Sequence, residues 1–267
     1  MVGLSPRVDE HTNPQYRDAI LSPGVAVFAA VAAVLWVITV AWANEMGNMP
    51  GTMGMTVPEF VVMWALMMAA MMLPSVAPMA TLYSRTVTSR RAQRLGLFGV
   101  GYLISWAATG VVAYTLAWTA GELAADAPDA ARAVGVATFV AVGLYQLTPL
   151  KYRCLEHCRS PIGHMFHYAQ YTGRTKDLRA GVHHGMFCLG CCWALMLLMI
   201  VFGVMNVWAM IALAVVVAAE KLWKHGEALA RAAGWASIGL AIAVAFEPSI
   251  APGIDPDGLM MMGDMGM

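Results

Sequence analysis

Long apolar stretches alternate with short polar connections along most of this chain of 267 residues. A bilayer core is about 30 Å thick, so a helix that rises ~1.5 Å per residue needs about 20 apolar residues to cross it. Seven windows approach or exceed this length: residues 23–43, 58–83, 97–120, 133–150, 182–204, 206–222 and 233–247. A membrane-spanning β-strand needs only about 9–11 residues of alternating polarity, so the windows favour helices. The pattern predicts an all-α, polytopic transmembrane bundle of about seven helices, or six if the short last window does not cross.

Lysine and arginine residues indicate which side of the membrane each connection occupies. Of the 16 Lys and Arg, all except Arg132 lie in the amino-terminal tail, in alternate connections between windows or, for Lys221, at the adjoining end of a window. The positive-inside rule therefore places the amino terminus in the cytoplasm and predicts a multi-pass protein of the plasma membrane. The predicted organisation is a cytoplasmic tail over residues 1–22, a transmembrane domain over 23–247, and an extracytoplasmic Met-rich tail over 248–267.

The composition of the chain indicates which classes of partner it can bind. Hydrophobic residues make up 60% of the chain and charged residues 12%, and the formal net charge is zero. A soluble domain has about 45–50% apolar and about 25% charged residues, so the composition is that of a membrane protein with the lipid bilayer as a partner. The chain shows no Gly-rich phosphate loop and no interleaved basic and aromatic pattern. We therefore expect it to bind neither nucleotide nor nucleic acid.

All five cysteines lie near two predicted cytoplasmic helix ends. Cys154 and Cys158 follow the fourth window, whereas Cys188, Cys191 and Cys192 lie in the fifth. Residues three or four apart share one helix face, and antiparallel neighbouring helices bring their inner ends together. The two groups are therefore expected to converge. Because the cytoplasm keeps thiols reduced, this arrangement favours metal binding over disulfide bonds.

Histidines add nitrogen donors to this metal-cluster region, residues 154–192. His157 lies between the first two cysteines, and His184 shares a helical stripe with Cys188. Two cysteine pairs provide enough soft ligands for a tetrahedral zinc site or for a Cu(I) site of lower coordination. A thiolate in a low-dielectric interior is costly unless a cation neutralises it. The alternative is that the free cysteines are small apolar residues buried in the bundle.

Methionine is unusually frequent, with 22 residues in the chain. The segments 46–55 and 259–267 are rich in Met and predicted to be external, where their thioethers could collect Cu(I), which prefers soft ligands. In the second window Met63, Met67 and Met71 recur every four residues and therefore share one helix face. This ladder could line a route for the ion, while methionines on a diverging face pack against neighbouring helices. Packing alone is an equally ordinary role for this residue type.

Three segments together resemble a known family. They are MWALMMAAMMLPSVAPM, YQLTPLKYRCLEHCRSP and the stretch from His183 to Lys221. Over roughly residues 55–225 they resemble a bacterial and archaeal family described as predicted metal-binding integral membrane proteins. The resemblance implies a metal-linked role in the membrane, with all five cysteines matching cysteines of the family's motif. It implies no established reaction.

Copper handling is the function that these features favour, as transport or delivery of Cu(I) across or at the cytoplasmic membrane. Without a nucleotide site the chain alone is not expected to pump, so movement of the ion is expected to be passive, coupled, or a hand-over to a soluble or membrane partner protein. One alternative is a membrane metalloenzyme or redox subunit acting on a hydrophobic substrate, although no paired carboxylates or activated nucleophile support an enzyme and no catalytic residue is assigned. Another is a non-catalytic membrane scaffold with a structural zinc clip.

Overall fold

Helices, with no strand, form the part of the chain that this computed structural model describes. The described residues are 23–46, 51–85, 87, 90–159, 167–168 and 170–255. The main helices, numbered in chain order, are α1 (Pro23–Met46), α2 (Val57–Arg85), α3 (Arg91–Asp126), α4 (Pro128–Gln146), α5 (Pro149–Arg159), α6 (Lys176–Val201), α7 (Val207–Leu222) and α8 (Gly226–Phe246). A single 3-10 turn, Pro248–Ile250, follows α8. The predicted all-α architecture is confirmed.

Side chains cap two of the helices at their first turns. The Glu59 carboxylate accepts hydrogen bonds from the backbone nitrogen and the hydroxyl of Thr56, at 2.8 and 2.7 Å, and so satisfies an amide that the start of α2 leaves free. At α7 the side-chain oxygen of Asn206 accepts a bond of 3.1 Å from the nitrogen of Ala209. Polar residues next to the apolar windows therefore fix where these helices begin.

The fourth predicted window, residues 133–150, is interrupted in the structure. Helix α4 ends at Gln146 and α5 begins at Pro149, and the two axes are bent by 62°. Proline cannot donate to the preceding turn and disfavours helical geometry at the residue before it, here Thr148. The Thr148 hydroxyl then accepts a 3.3 Å bond from the nitrogen of Lys151, which caps α5. The cysteines at 154 and 158 therefore lie on a separate short helix and not on an extension of α4.

Five of these helices are long and apolar enough to cross a membrane, namely α1, α2, α3, α6 and α8, and α4 with α5 forms a sixth span if the bent pair is counted as one. The last predicted window belongs to α8, which at 21 residues is among the five. The helix that is shorter than the membrane is instead α7, which corresponds to the sixth predicted window and has 16 residues. At ~1.5 Å per residue it reaches about 24 Å, less than a bilayer core of about 30 Å.

Helix α2 lies at the centre of the bundle and α1 at its edge. In the most apolar window of α2, 72% of the residues are buried, against 11% in α1, which packs on α2. The most extensive contact between two helices joins α3 to α6. Glycines allow it: a β-carbon added at Gly181 would lie 2.0 Å from the carbonyl oxygen of Phe98, and one at Gly101 would lie 2.2 Å from that of Leu178. This glycine seam sets the position of α6, which carries three of the cysteines.

A buried carboxylate fastens three helix ends on the predicted cytoplasmic side. Asp177, at the start of α6, accepts a 2.5 Å hydrogen bond from the hydroxyl of Tyr83 in α2. It also accepts bonds of 2.9 and 3.1 Å from the guanidinium of Arg94 in α3. Bonds between charged partners in a buried setting are the strong ones, so this contact holds the inner end of α6 against α2 and α3.

Candidate metal centre

Three cysteines of α6 form the floor of the site. Cys188, Cys191 and Cys192 are all buried, with side chains at most 1% exposed. The thiols of Cys191 and Cys192 donate to the carbonyl oxygen of Cys188, at 3.1 and 2.9 Å. Spacings of three and four residues therefore place all three sulfurs around one turn of the helix, as the sequence pattern predicted.

Cys158 brings a fourth sulfur from the separate helix α5. Its Sγ atom lies 3.7 Å from that of Cys191 and also interacts with the thiol of Cys188. Cys154 is half-buried and lies one turn away, where its sulfur would be 2.8 Å from a β-carbon added at Gly190. The structure thus brings together four of the five predicted cysteines, called here the thiol cluster: Cys158, Cys188, Cys191 and Cys192.

The donor chemistry of the thiol cluster suits a soft ion. Thiolates are the ligands that select Cu(I), and one ion can touch the sulfurs of Cys158 and Cys191 together, because 3.7 Å is less than twice a metal–sulfur distance of about 2.3 Å. No group of three or more His, Cys, Asp or Glu side chains among the described residues is arranged to hold a metal ion. A site with three or more ligands would therefore need side chains of the cluster to rotate.

Polar groups from three other helices lie near the Cys188 sulfur. The Nζ atom of Lys221, at the end of α7, lies 3.0 Å from the Cys188 sulfur and 3.2 Å from the hydroxyl of Ser75 in α2. The hydroxyl of Tyr102 in α3 lies 3.0 Å from the same sulfur. These side chains are all buried, so the thiol cluster is linked to α2, α3 and α7 by contacts that exclude water.

A buried ion pair also lies beside the cluster. Lys151 and Glu220 form an ion pair of 2.6 Å, and Lys151 also donates to the carbonyl oxygen of Cys191. Gln146 donates to the other carboxylate oxygen of Glu220 at 2.7 Å. Glu220 and Lys221 are adjacent in sequence at the inner end of α7. The structure buries both and gives them different partners.

The predicted histidines lie next to the cluster among aromatic rings. His157 stacks on Phe187, with ring centroids 3.5 Å apart, and its centroid is 6.4 Å from that of the buried His184. His183 accepts or donates a 3.3 Å bond with the hydroxyl of Tyr168. Burial raises the pKa of that hydroxyl well above its ordinary value, so Tyr168 stays neutral at physiological pH. His183 and His184 precede Cys188 on α6 and therefore lie on the predicted cytoplasmic side of the α6 thiols.

The predicted methionine ladder lies in the core of the bundle. Met63, Met67 and Met71 are each at most 2% exposed. The methionines of the diverging face, Met68 and Met72, are as deeply buried. Both faces therefore pack inside the molecule, because α2 is surrounded by other helices, and the division into one lining face and one packing face does not appear.

Lys151 and Tyr102 are neighbours of the site that the sequence pattern did not mark. In the sequence, Lys151 is one of the basic residues on the predicted cytoplasmic side, and Tyr102 is one residue of the apolar third window. Neither residue carries a signal in the sequence. A lysine beside an apolar window can extend its ammonium to the membrane surface, and only the crossing of α3 and α6 brings Tyr102 to Cys188.

Together the fold and this site define a class: helical bundles of membrane-spanning length that enclose thiols suited to a soft metal ion. Comparison with known protein families also points to a soft metal, copper. The model of the PpoB2 family, described as copper chaperone, matches residues 61–244, and the chain belongs to this family. The match includes the whole thiol cluster and most of the membrane-length helices. No curated protein and no solved structure matches the chain significantly.

Proposed function

We propose that this copper chaperone is an integral membrane protein that holds Cu(I) at the thiol cluster and delivers it to a partner protein. The observation that carries the proposal is the meeting of the half-buried Cys158, from α5, with the buried Cys191, from α6, at a sulfur–sulfur distance of 3.7 Å. Copper follows from the family, and the monovalent state follows from the ligands, because sulfur donors select Cu(I).

Binding of the ion to these thiols depends on the charge of the site. A thiol must lose its proton to become a good ligand, and a thiolate is costly in a low-dielectric interior unless a cation lies beside it. The cluster therefore gains most from an ion that arrives with positive charge. Because its sulfurs come from two helices, an incoming thiol of a partner can replace one ligand while another still holds the ion, and copper need never be released into water.

The membrane part of the proposal rests on five to six helices of membrane-spanning length and on the distribution of basic residues. In that orientation the thiol cluster faces the cytoplasmic half of the bundle. External capture by methionines is a further part. Of the first Met-rich segment, Met53 and Met55 are half-buried against the core, and residues 47–50 lie outside the described residues. The second segment, 259–267, lies wholly outside them.

Anaerobic titration of the purified, reduced full chain with Cu(I) against a chromophoric Cu(I) chelator tests the cluster. We expect stoichiometric binding by the wild type and at least a ~10-fold loss of affinity for Cys158→Ala and for Cys191→Ala, since each removes one thiolate bond to the ion. Cys154→Ala is the matched control on the same short helix, because that sulfur lies beside Gly190 and outside the cluster. Equal affinities for wild type and both cluster variants would refute the assignment.

Elemental analysis of the protein as purified separates copper from zinc. A chaperone for Cu(I) should contain copper that the Cys158→Ala variant lacks. Stoichiometric zinc that resists exchange with Cu(I) would instead favour a structural clip, which holds its ion and does not pass it on. Deletion of residues 259–267 tests external capture separately: cells that carry the shortened chain should accumulate less copper on the target protein, and unchanged loading would remove that part of the proposal.

A further inference from the structure

Lys221 is a buried cation whose main contact is a sulfur. Its side chain belongs to a residue only 4% exposed, and its Nζ atom lies 3.0 Å from Sγ of Cys188. Among the described residues, no carboxylate lies within ion-pair distance of it, because the neighbouring Glu220 turns its carboxylate to Lys151 and Gln146. A buried ammonium is costly without a compensating negative charge, and thiolates of the cluster are the groups placed to supply one.

The other charges near the cluster cancel or lie toward solvent. Lys151 and Glu220 neutralise each other at 2.6 Å. Arg159 donates to backbone carbonyl oxygens at the end of α7, those of Glu220 at 2.6 Å and Trp223 at 2.8 Å, where the second bond is exposed. Lys221 therefore adds one positive charge beside the thiol cluster, in direct contact with the Cys188 sulfur.

We propose that Lys221 makes the thiol cluster select a soft monovalent cation over a soft divalent one. This inference rests on the proposed function. Two thiolates that bind a monovalent ion leave one net negative charge, which the ammonium of Lys221 cancels. The same two thiolates neutralise a divalent ion by themselves, so the ammonium then leaves a buried, uncompensated positive charge. In a low-dielectric interior a neutral assembly is strongly favoured over a charged one.

Ag(I) and Cd(II) are suitable probes, because both are soft ions with the same electron configuration and differ in charge. Their affinities for the reduced full chain, as wild type and with residue 221 substituted, are measured by competition under anaerobic conditions. We expect the preference of the wild-type protein for Ag(I) over Cd(II) to exceed that of a variant without the charge at residue 221 by at least about tenfold. An equal preference in the two proteins would overturn the proposal.

Substitution of Lys221 itself is the decisive change. Lys221→Leu removes the charge without adding a metal-binding atom, so the preference for Ag(I) over Cd(II) should fall by about tenfold or more. Lys221→Arg keeps the charge and should keep the preference. Lys224→Leu is the matched control, since Lys224 is exposed and lies just after the same helix. An unchanged preference in folded Lys221→Leu refutes the role of charge, and if that variant does not fold, Lys221→Gln, which keeps a polar but uncharged side chain, takes its place.

Cu(I) binding by the wild type distinguishes the two proposals. If the wild type binds Cu(I) through Cys158 and Cys191 but Lys221→Leu keeps the wild-type preference between Ag(I) and Cd(II), the specificity proposal fails and the proposed function stands. If the wild type fails to bind Cu(I) at these cysteines, the proposed function fails first, and the specificity proposal falls with it.

Discussion

The ammonium nitrogen of Lys151 lies 2.6 Å from a carboxylate oxygen of Glu220, although 69 residues separate them in the chain. Neither side chain is more than 1% exposed. Because Lys151 also donates to the carbonyl oxygen of Cys191, this pair ties the short helix α5 to both α6 and α7. It therefore helps to hold Cys158 at its place beside Cys191.

Removal of one member of this pair should be costly. We expect Lys151→Met to lower the free energy of unfolding by about 3–5 kcal/mol, since it leaves the Glu220 carboxylate buried without its cation. Thermal and denaturant unfolding in detergent, followed by circular dichroism, measures the loss. The double variant Lys151→Met/Glu220→Leu should recover much of it, because no unpaired charge remains. A control is Arg132→Met, which removes the exposed pair with Asp129 and should change stability little.

The glycine seam between α3 and α6 predicts a second set of stabilities. Gly181→Ala places a β-carbon 2.0 Å from a backbone oxygen of α3, so the helices must separate, and the free energy of unfolding should fall by about 1–3 kcal/mol or more. Gly239→Ala in α8 meets no atom within 4 Å and should be neutral or stabilising by about 0.5–1 kcal/mol. Equal effects of the two substitutions in the same unfolding assay would show that close approach of α3 and α6 is not required.

The separation of Cys158 and Cys191 predicts a response to oxidation. The two sulfurs, 3.7 Å apart, can form a disulfide of about 2.05 Å after a modest side-chain rotation. Treatment with diamide, which accepts the two electrons and two protons, should give an intramolecular bond between these residues, identified by peptide mass spectrometry. The oxidised protein should bind Cu(I) far more weakly, and dithiothreitol should restore binding. Persistence of both free thiols after oxidation would contradict the observed proximity.

The methionines of α2 allow a test of a route for copper through the bundle. Met67→Leu/Met71→Leu removes two thioethers while nearly conserving volume, so the cost in stability should stay below about 1.5 kcal/mol for each substitution. If these thioethers relay the ion, the rate of Cu(I) delivery to the thiol cluster in proteoliposomes should fall while the equilibrium affinity of the cluster stays unchanged. Unchanged delivery would assign the ladder to packing alone.

Most helices could be predicted from the sequence, because a helix long enough to cross a membrane corresponds to one continuous apolar stretch of about 20 residues. The convergence of Cys158 with the α6 cysteines was also within reach, since spacing fixes a helix face and antiparallel order brings helix ends together. The separate helix α5 was signalled by Pro149, but hydropathy alone continues through residues 133–150 and hides the break.

The charged surroundings of the thiols could not be predicted, because they depend on contacts between distant parts of the chain. Glu220 and Lys221 are adjacent in sequence, yet one meets Lys151 on α5 and the other meets Cys188 on α6. Only the packing of α7 against its neighbours decides which way each side chain points. For the same reason Tyr102 could not be distinguished from the other aromatic residues of the third window.

Helix α5 is joined to α4 by a bend of 62° and is held at its far end by Arg159, which donates to carbonyl oxygens at and just after the end of α7. Its outer face, with Arg153 and Glu156, is exposed. Under the proposed function, a protein that docks on this face would contact the helix that carries Cys158 without having to reach between the long helices.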